Sequence, residues 1–422
     1  MDRRHFGWQN LGMHQNPDSA VCIVGAGPVG ASLAAALHRR GVAVVLLDRQ
    51  PLPPMELPAF DGRAYAIALS SQRLLEQAGA WALLPHRPGP IQEIRVADGA
   101  PGQPASPLKL HFDAAEVSGD PFGHMVEARA LRVALNRALA GVQVLAPVEV
   151  ASVERTAAGA CVTLADGRAI RCALVVAAEG RNSPLRRAAG ITATRLDYHQ
   201  TAMVGAFAHQ RPHHGVALEQ FLPNGPFAQL PLADGADFGT PAFPHASAFV
   251  WADTHPIARR MLALDDTAFS RELARRLGDH LGEVRIIGRR WSYPLSALHV
   301  SRWTDTRLAL VGDAAHGVHP IAGQGLNLGF RDVAVLADLL AEAAARGEDL
   351  GSPALLARYQ ARRRPDTLAM LLGMHALERL FGNSIPPVRL ARRLGLAAVD
   401  RVPALKRAFA RQAMGLGVLP AG

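Results

Sequence analysis

Three glycines near the start of the sequence have a spacing that suits the binding of a phosphate group. Gly25, Gly27 and Gly30 form the pattern G-x-G-x-x-G, and Asp48 follows the last of them by 18 residues. The first glycine of such a pattern permits a tight turn, the second lets the backbone approach a pyrophosphate, and the third lets a helix pack closely on a strand. A carboxylate at this distance can accept hydrogen bonds from ribose hydroxyl groups. The four residues therefore predict a dinucleotide site.

The segments around these glycines have the order that such a site requires. Residues 21–24 are an apolar run of strand length, residues 31–40 are rich in Ala and Leu, and residues 42–47 are a second apolar run. A helix that starts at the glycines would direct its unpaired N–H groups and positive dipole end at the phosphates. We therefore predict a β-α-β unit within an α/β fold. The motif alone does not distinguish FAD from NAD.

A second glycine-rich segment lies at residues 308–329. Residues 308–311 predict a buried strand that ends at Gly312 and Asp313, and a long helix is predicted from the glycine-rich stretch to about residue 345. The helix would begin at Gly323, Gln324, Gly325, Leu326 and Asn327.

An alternative interpretation of this segment is a metal site. Asp313, His316 and His319 are of ligand type and have ligand spacing, and an iron or zinc centre would make a different enzyme. We favour the nucleotide interpretation, because the glycine-rich motif already accounts for these residues and the sequence offers no further ligand cluster. No metal is therefore expected.

The segment 308–329 resembles the second FAD-binding motif of the group A flavoprotein monooxygenases, the para-hydroxybenzoate hydroxylase type. Its second half, with Arg331 and Asp332, is similar to the ubiquinone-biosynthesis hydroxylases of the UbiH, UbiF and VisC type. Further stretches resemble the same family, so that the likeness extends from residue 21 to about residue 414. These stretches are residues 61–64, 68–70, 126–129, 197–200 and 359–366.

The resemblance implies a GR2-type FAD-binding Rossmann-like domain with an inserted antiparallel substrate sheet and C-terminal helices. Alternating runs at residues 202–209, 216–222 and 246–251 agree with such a sheet, and residues 221–232 would line its pocket. The expected division is a flexible tail at 1–19, an FAD domain at 20–90, 120–192 and 297–348, a substrate sheet at 91–119 and 193–296, and a basic helical region at 349–422.

The resemblance also implies roles for particular residues. Asp313 would hold a hydroxyl of the FAD ribityl chain, Pro320 would face the flavin ring, and the backbone from Gly323 to Asn327 would lie near its N1/O2 edge. Arg63 and Arg129 would lie beside the cofactor. The alternatives are a solvated charge at the start of a helix for Arg63 and a surface salt bridge for Arg129.

Residues 173–186 resemble the Asp-Gly motif of this family, which contacts the FAD pyrophosphate and the path of the pyridine nucleotide. The resemblance carries this role to Glu179, Gly180, Ser183 and Arg186. Glu179 stands where the pattern has Asp, and its additional methylene moves the carboxylate by ~1.5 Å, which changes the hydrogen bonds that it can make in a turn.

The chemistry implied is hydroxylation of the aromatic ring of a prenylated phenol in ubiquinone biosynthesis. Reduced FAD and dioxygen would form a flavin C4a-hydroperoxide, and NADPH or NADH would supply the electrons. One alternative is another group A flavin enzyme, such as a halogenase or a polyprenyl reductase. A halogenase would carry a characteristic lysine and a Trp-x-Trp-x-Ile segment, whereas Lys109 and Lys406 are the only lysines here. The other alternative is a flavoprotein of a quinone-biosynthesis assembly without turnover.

The charge of the sequence is concentrated near its end. Residues 351–422 contain 12 Arg and Lys residues and 3 Asp and Glu residues, so they account for the whole net charge of +9. This segment could meet an anionic membrane surface or an acidic partner of a biosynthetic complex, or present solvated helix faces. It has few aromatic residues and no nucleic-acid module, so we expect no nucleic-acid partner.

Cysteine content and hydropathy place the protein in a reducing, cytoplasmic compartment, with membrane association as the open alternative. Three cysteines without C-x-x-C spacing predict neither a disulfide framework nor a zinc module. No apolar run reaches 18 residues, and the first 20 residues lack the features of a secretory signal.

Overall fold

The computed structural model describes residues 19–52, 58–99, 109–233, 240–319, 323–381, 395, 399 and 401–416. The helices are α1 Pro28–Arg39, α2 Leu69–Gln77, α3 Ala128–Ala138, α4 Pro184–Ala188, α5 His255–Leu262, α6 Asp266–Leu277, α7 Gln324–Ala345, α8 Pro353–Phe381 and α9 Pro403–Ala413. The strands are β1 Ser19–Val24, β2 Val44–Leu47, β3 Ala64–Ala68, β4 Gly89–Ile91, β5 Glu93–Asp98, β6 Lys109–Asp113, β7 Gly123–Glu127, β8 Gln143–Leu145, β9 Val150–Arg155, β10 Ala160–Leu164, β11 Ala169–Ala177, β12 Ala193–His209, β13 Val216–Leu222, β14 Gly225–Pro231, β15 His245–Thr254, β16 Val284–Val300, β17 Thr304–Asp305, β18 Leu308–Leu310 and β19 His316–Gly317.

The first sheet has the order β17-β18-β11-β1-β2-β8, with β10 and β9 attached through β11. β1 pairs in parallel with β2 and β11, and β11 pairs in parallel with β18. These central strands are continuous apolar runs because both of their faces are buried. Their carboxyl ends lie at one edge of the sheet and lead into Gly25, Asp48, Ala178 and Val311, so both glycine motifs meet at that edge.

The inserted sheet has the order β19-β16-β12-β15-β14-β13-β5-β6. Every pairing in it is antiparallel except that of β5 with β13, which is parallel. A hairpin cannot join two parallel strands, and here the long chain segment between β5 and β13 makes the crossover. The α/β fold with an inserted sheet is thus confirmed, with one parallel pairing that the sequence does not reveal.

A small sheet of β3, β7 and β4 contributes Ile67 and Val126 to the core around the first sheet and packs on its other side against the inserted sheet. The inner face of the inserted sheet packs here against α2, α8 and the small sheet. We call this packing the junction cluster, and its buried members include Leu69, Ile91, Met125, Ala217, Phe221 and Phe381. Ala64 and Ala66 of β3 pack against the same cluster, so the inserted sheet contacts the strand that leads towards α7.

The two ends of the described chain are a strand and a helix. Ser19 belongs to β1, where its hydroxyl donates to the Ala43 carbonyl oxygen at 3.1 Å, so the range 1–19 expected for the tail is too long by this residue. Residues 1–18 lie outside the described residues. Within the part of the chain that the structure describes, no helix combines the length and the apolar character needed to cross a membrane.

Candidate functional site

The first glycine motif forms a close turn with an open side. Gly25 has a φ of +109°, and a Cβ there would lie 2.5 Å from the carbonyl oxygen of Ala178. A Cβ on Gly30 would lie 1.9 Å from the carbonyl oxygen of Gly25, so both glycines are required for packing. Gly27 is the N-cap of α1, and a Cβ there would meet no atom within 4 Å. The N-terminus of α1 therefore faces free space, as an anion site requires.

A cavity of about 210 Å³ begins at this turn. The Oδ2 atom of Asp48 accepts the Ala26 N–H at 2.6 Å, and Oδ1 accepts the Gln50 N–H at 2.8 Å. These two bonds hold the carboxylate at the rim of the cavity. Arg132 and Asn136 line the opposite wall from α3. Sequence reasoning missed both residues, although their spacing of four places them on one helix face.

A buried carboxylate fixes the turn after β18. Asp332 of α7 is fully buried and accepts the Gly312 N–H at 2.9 Å, His316 Nε2–H at 2.6 Å and Arg363 Nε–H at 2.8 Å. Burial by itself would raise the pKa of Asp332, but the interactions with His316 and with the Arg363 guanidinium outweigh burial and lower it. The ionised Asp332 carboxylate thus positions the backbone that carries Asp313.

Asp313 forms an ion pair that the sequence does not predict. Its Oδ2 atom accepts the Arg181 Nε–H at 3.0 Å, and Arg181 also donates through Nη1 to the carbonyl and hydroxyl oxygens of Ser296 at 2.9 Å. The Asp313 side chain is 45% exposed. Among the described residues no donor approaches its Oδ1 atom, which is available to a hydroxyl group of a ligand.

The start of α7 is held against β3. Gly323 is the N-cap of α7 with a φ of +63°, and a Cβ on Gly325 would meet no atom within 4 Å. The side-chain oxygen of Asn327 accepts the Ala68 N–H at 2.9 Å, and its nitrogen donates to the Ala66 carbonyl at 2.9 Å. The partial positive charge of this helix end, about half an elementary charge, thus lies beside the junction cluster. Gln324 and Leu326 begin the same helix, whereas Pro320 lies outside the described residues.

The segment with Glu179 forms a brace between β11 and the Asp313 turn. The Oε2 atom of Glu179 accepts the Ser183 hydroxyl at 2.5 Å and the Leu185 N–H at 3.1 Å, and burial raises the pKa of Glu179. The buried guanidinium of Arg186 donates to the carbonyl oxygens of Ala314 at 2.9 Å and of Arg181 at 2.8 Å. Glu179 therefore supports the first turn of α4, whose N-cap is Ser183. Gly180 supplies a φ of +79° in the turn.

Neither Arg63 nor Arg129 lies where its alternative interpretation, a charge at a helix start or a surface salt bridge, would place it. Arg63 precedes β3, not a helix; it is paired with Asp61 and lies 4.2 Å from the Trp291 ring centroid. Arg129 is 7% exposed, and its Nε donates to Glu127 at 2.6 Å, so a surface salt bridge is wrong. Arg63 thus contacts β16 of the inserted sheet, and Arg129 also donates through Nη1 to the Pro58 carbonyl oxygen at 2.7 Å. Their contact with a cofactor stays a prediction.

The three potential metal ligands of the second motif, Asp313, His316 and His319, do not come together at one point. His316 bonds to Asp332, Asp313 pairs with Arg181, and His319 Nε2 lies 3.2 Å from the Gln200 side-chain oxygen. Burial lowers the pKa of His319 to about 4, so this ring is neutral at pH 7. Within the described ranges, the one group that brings three ligand atoms together lies at the exposed bulge of β12 and consists of Asp197, His199 and His255.

The residues predicted for the nucleotide site therefore lie along one sheet edge. From Asp48 the site passes through the Gly27 turn and Asp313 to the start of α7, with the Glu179 brace behind it. Free space faces both Gly27 and Gly325. An elongated ligand with a ribose, a pyrophosphate and a ring system fits this order, so the residues present suit FAD.

Comparisons with known proteins agree with this geometry. Residues 18–371 match the family described as FAD binding domain. The chain is 49% identical to the ubiquinone hydroxylase UbiL of Rhodospirillum rubrum over 94% of this chain and 89% of that protein. It is 34% identical to 3-demethoxyubiquinol 3-hydroxylase of Escherichia coli over 95% of this chain and all of that protein. The crystal structure of Pseudomonas aeruginosa PqsL with 2-aminobenzoylacetate superposes with a TM-score of 0.70 and 26% identity, covering 90% of this chain and 99% of that one.

Proposed function

Since this chain belongs to the FAD-binding-domain family and, within it, to the ubiquinone-biosynthesis hydroxylases, we propose that it hydroxylates the aromatic ring of a prenylated phenol, a ubiquinone precursor. The observation that carries this proposal is the meeting of both glycine motifs at one sheet edge, in a chain 49% identical to a ubiquinone hydroxylase. Bound FAD supplies the oxygen-transfer chemistry, with dioxygen as co-substrate and NADPH or NADH as electron donor.

The chain's own residues bind and orient the cofactor in this proposal. Asp48 accepts the ribose hydroxyls, the Gly27 turn receives the pyrophosphate, and Asp313 accepts a ribityl hydroxyl through Oδ1. The first N–H groups of α7 face the flavin N1/O2 edge, where they stabilise negative charge.

The inner face of the inserted sheet supports a substrate with a prenyl tail. Ala217, Phe221 and Ala248 present apolar side chains to the junction cluster, and Phe381 of α8 stacks on Phe221 with 3.8 Å between ring centroids. An apolar surface of this kind favours burial of hydrocarbon.

Product analysis tests the proposed function. The purified protein should carry FAD that heat releases intact, and it should add one oxygen atom to a prenylated phenol with NADPH or NADH under air. Mass spectrometry of the product, and of the quinone intermediates in a deletion strain, reads the outcome. Flavin reduction without a hydroxylated product would instead support the assembly protein without turnover.

We further propose a membrane contact through α9. Val402, Leu405 and Phe409 are exposed at 48%, 42% and 51%, and their spacing places them on one helix face. Arg401 and Arg407 are exposed beside them. An apolar stripe flanked by arginines is typical of helices that lie in an anionic membrane surface. A substrate with a prenyl tail gives such a contact a purpose.

The structure changes which basic residues can take part in this contact. Lys406, one of the basic residues of this segment, pairs with Glu116 at 3.0 Å and is only 17% exposed. Arg392 and Arg393 lie outside the described residues. We therefore assign the contact to the exposed stripe and its neighbouring arginines, and not to Lys406.

Sedimentation with anionic vesicles tests this contact. The wild-type protein should bind vesicles at low salt and be released at high salt, since a basic residue near an anionic surface contributes about 1 kcal/mol. Leu405→Asp combined with Phe409→Asp should weaken binding without changing flavin content. Leu83→Asp, at an exposed leucine far along the chain, is the control. Equal sedimentation of all three proteins would exclude α9 as the membrane contact. The basic segment would then be better explained by binding to an acidic partner of a biosynthetic complex.

A further inference from the structure

One ionisable side chain of the inserted sheet faces the junction cluster and has no partner among the described residues. Glu219 lies in β13 between Ala217 and Phe221, both of which are buried in that cluster. Because side chains alternate along a strand, Glu219 points to the same face as these two residues. No described residue donates a hydrogen bond to its carboxyl or forms an ion pair with it. The reaction described above makes no use of this group.

The register of the sheet defines the surroundings of Glu219. Ala228 of β14 pairs with it on one side and Val96 of β5 on the other. Paired residues share a face, so its direct neighbours are apolar. The inner-facing residues of β14 and β15 are apolar up to Ala252, and the nearest acidic residue on this face, Asp98, is fully buried at the end of β5.

The inner face leads from Glu219 to the flavin end of the nucleotide site. Ala66 of β3 packs against the junction cluster and accepts the Asn327 side-chain amide. A Cβ on Gly323 would lie 3.2 Å from the Ala66 Cβ, so the cluster directly adjoins the start of α7. A ring held between the sheet and α7 would therefore have Glu219 on its sheet side.

The burial of a carboxyl without a partner costs free energy, which a ligand can offset. Burial raises the pKa of Glu219 to about 8, so the group is mostly protonated at neutral pH. A neutral carboxyl can both donate and accept a hydrogen bond, and a phenolic hydroxyl can do the same. By surface area Glu219 is half-buried, so part of the residue is accessible.

We propose that Glu219 is the polar contact of the substrate pocket and that its carboxyl hydrogen-bonds the phenolic hydroxyl of the ring that is hydroxylated. This inference rests on the proposed function and adds the residue that selects a phenol. The remaining walls recognise hydrocarbon, so the hydroxyl contact also fixes which edge of the ring faces the flavin.

Ligand binding to the oxidised holoenzyme, without reductant, tests the inference. The probes are 2-geranylphenol and its methyl ether, and perturbation of the flavin absorbance gives each dissociation constant. The wild-type protein should bind the phenol at least tenfold more tightly than the ether, which cannot donate a hydrogen bond. Glu219→Leu should bind both probes alike, and Glu219→Gln, which can still donate and accept, should keep most of the preference.

Controls separate this role from a structural one. Glu93→Gln alters an acid on the opposite face of β5 and should leave the preference unchanged. Glu219→Leu should keep its flavin and its thermal midpoint, since it removes an unsatisfied buried group, and Glu219→Met provides a second apolar replacement. A retained phenol preference in both apolar variants, or no preference in the wild-type protein, would overturn the role of Glu219 while the proposed function stands. A wild-type protein that binds neither probe would overturn both.

Discussion

Arg181 and Asp313 show how a functional pair is hidden from the sequence. The two residues are 132 positions apart, and their side chains meet because β11 and β18 are parallel neighbours. The motif predicts Asp313 on its own, and nothing in the spacing of Arg181 points to it. The same separation conceals Arg132, which lines one cavity with Asp48. Residues within one motif could be predicted, whereas contacts between motifs required the strand order.

The role proposed for Asp313 predicts a loss of FAD affinity on its removal. Asp313→Ala should weaken FAD binding by ~1.5 to 3 kcal/mol, the range for a hydrogen bond to a charged group. Fluorescence titration of the apoprotein with FAD measures this change.

The control for Asp313→Ala is Asp166→Ala, which removes an equally exposed carboxylate paired with Arg168 in a surface hairpin. The control should bind FAD as the wild-type protein does. Unchanged affinity in Asp313→Ala would remove this residue from the site.

The low pKa of the buried His209 predicts that the stability of the protein depends on pH. This buried ring bonds to the Arg211 carbonyl and to Ser247, and burial is the largest cause that lowers its pKa to about 4. In the unfolded chain its pKa is ~6.5, so the unfolded state binds the proton first as the pH falls. The stability that the neutral ring contributes is present above pH ~6.5 and is lost towards pH 4, by up to about 3 kcal/mol.

Urea denaturation at pH 7.5 and pH 5 measures this loss. His209→Asn should be less stable at pH 7.5 and should lose less stability between the two pH values than the wild-type protein. His199→Asn, at an exposed position, should show the wild-type dependence. The same dependence in all three proteins would contradict the assignment to His209.

Among the elements, α7 was the most predictable and the inserted sheet the least. The predicted end of α7 near residue 345 is confirmed, because its apolar pattern is continuous and buried on α1 and the first sheet. In contrast, β12 extends from Ala193 and not from residue 202, since its first half is largely exposed and lacks the alternation that predicts a strand. The parallel pairing of β5 with β13 depends on tertiary structure alone.

Asp332 of α7 holds the turn that carries Asp313, so its replacement should affect both stability and FAD binding. Asp332→Asn should lower the free energy of unfolding by about 1.5 to 3 kcal/mol, because the buried Arg363 loses one of its two carboxylate partners and keeps only Asp366. It should also reduce FAD occupancy, since the Gly312 turn loses its charged acceptor. Chemical denaturation and the flavin-to-protein absorbance ratio measure both effects.

Asp338→Asn is the matched control on the same helix, where the carboxylate is 53% exposed and pairs with Arg40. A surface pair of this kind contributes at most about 1 kcal/mol. Comparable losses in the two variants would argue against the buried network as the positioning device.

At the scale of the whole molecule, the cofactor site joins distant parts of the chain, so FAD should stabilise the entire fold. Removal of FAD should lower the thermal midpoint by several degrees, because a ligand at 1,000 times its Kd contributes about 4 kcal/mol. Differential scanning fluorimetry of apoprotein with and without added FAD measures the shift. An apoprotein that melts at the holoprotein's temperature would show that the motifs are held together without the ligand.

The position of β18 in the first sheet has a consequence for the folding of the chain during translation. Among the described residues this strand pairs with β11 and β17 alone, yet it carries the turn that completes the nucleotide site, and about 130 residues separate it from the end of β11. Once β11 has been made, the synthesis of these ~130 residues at ribosomal rates takes roughly 7 to 26 s. During that interval the apolar edge of β11 is unpaired, and FAD cannot protect it. Chaperone capture during translation should therefore concentrate on the segment from β1 to β11, and cofactor supply should affect only the released chain.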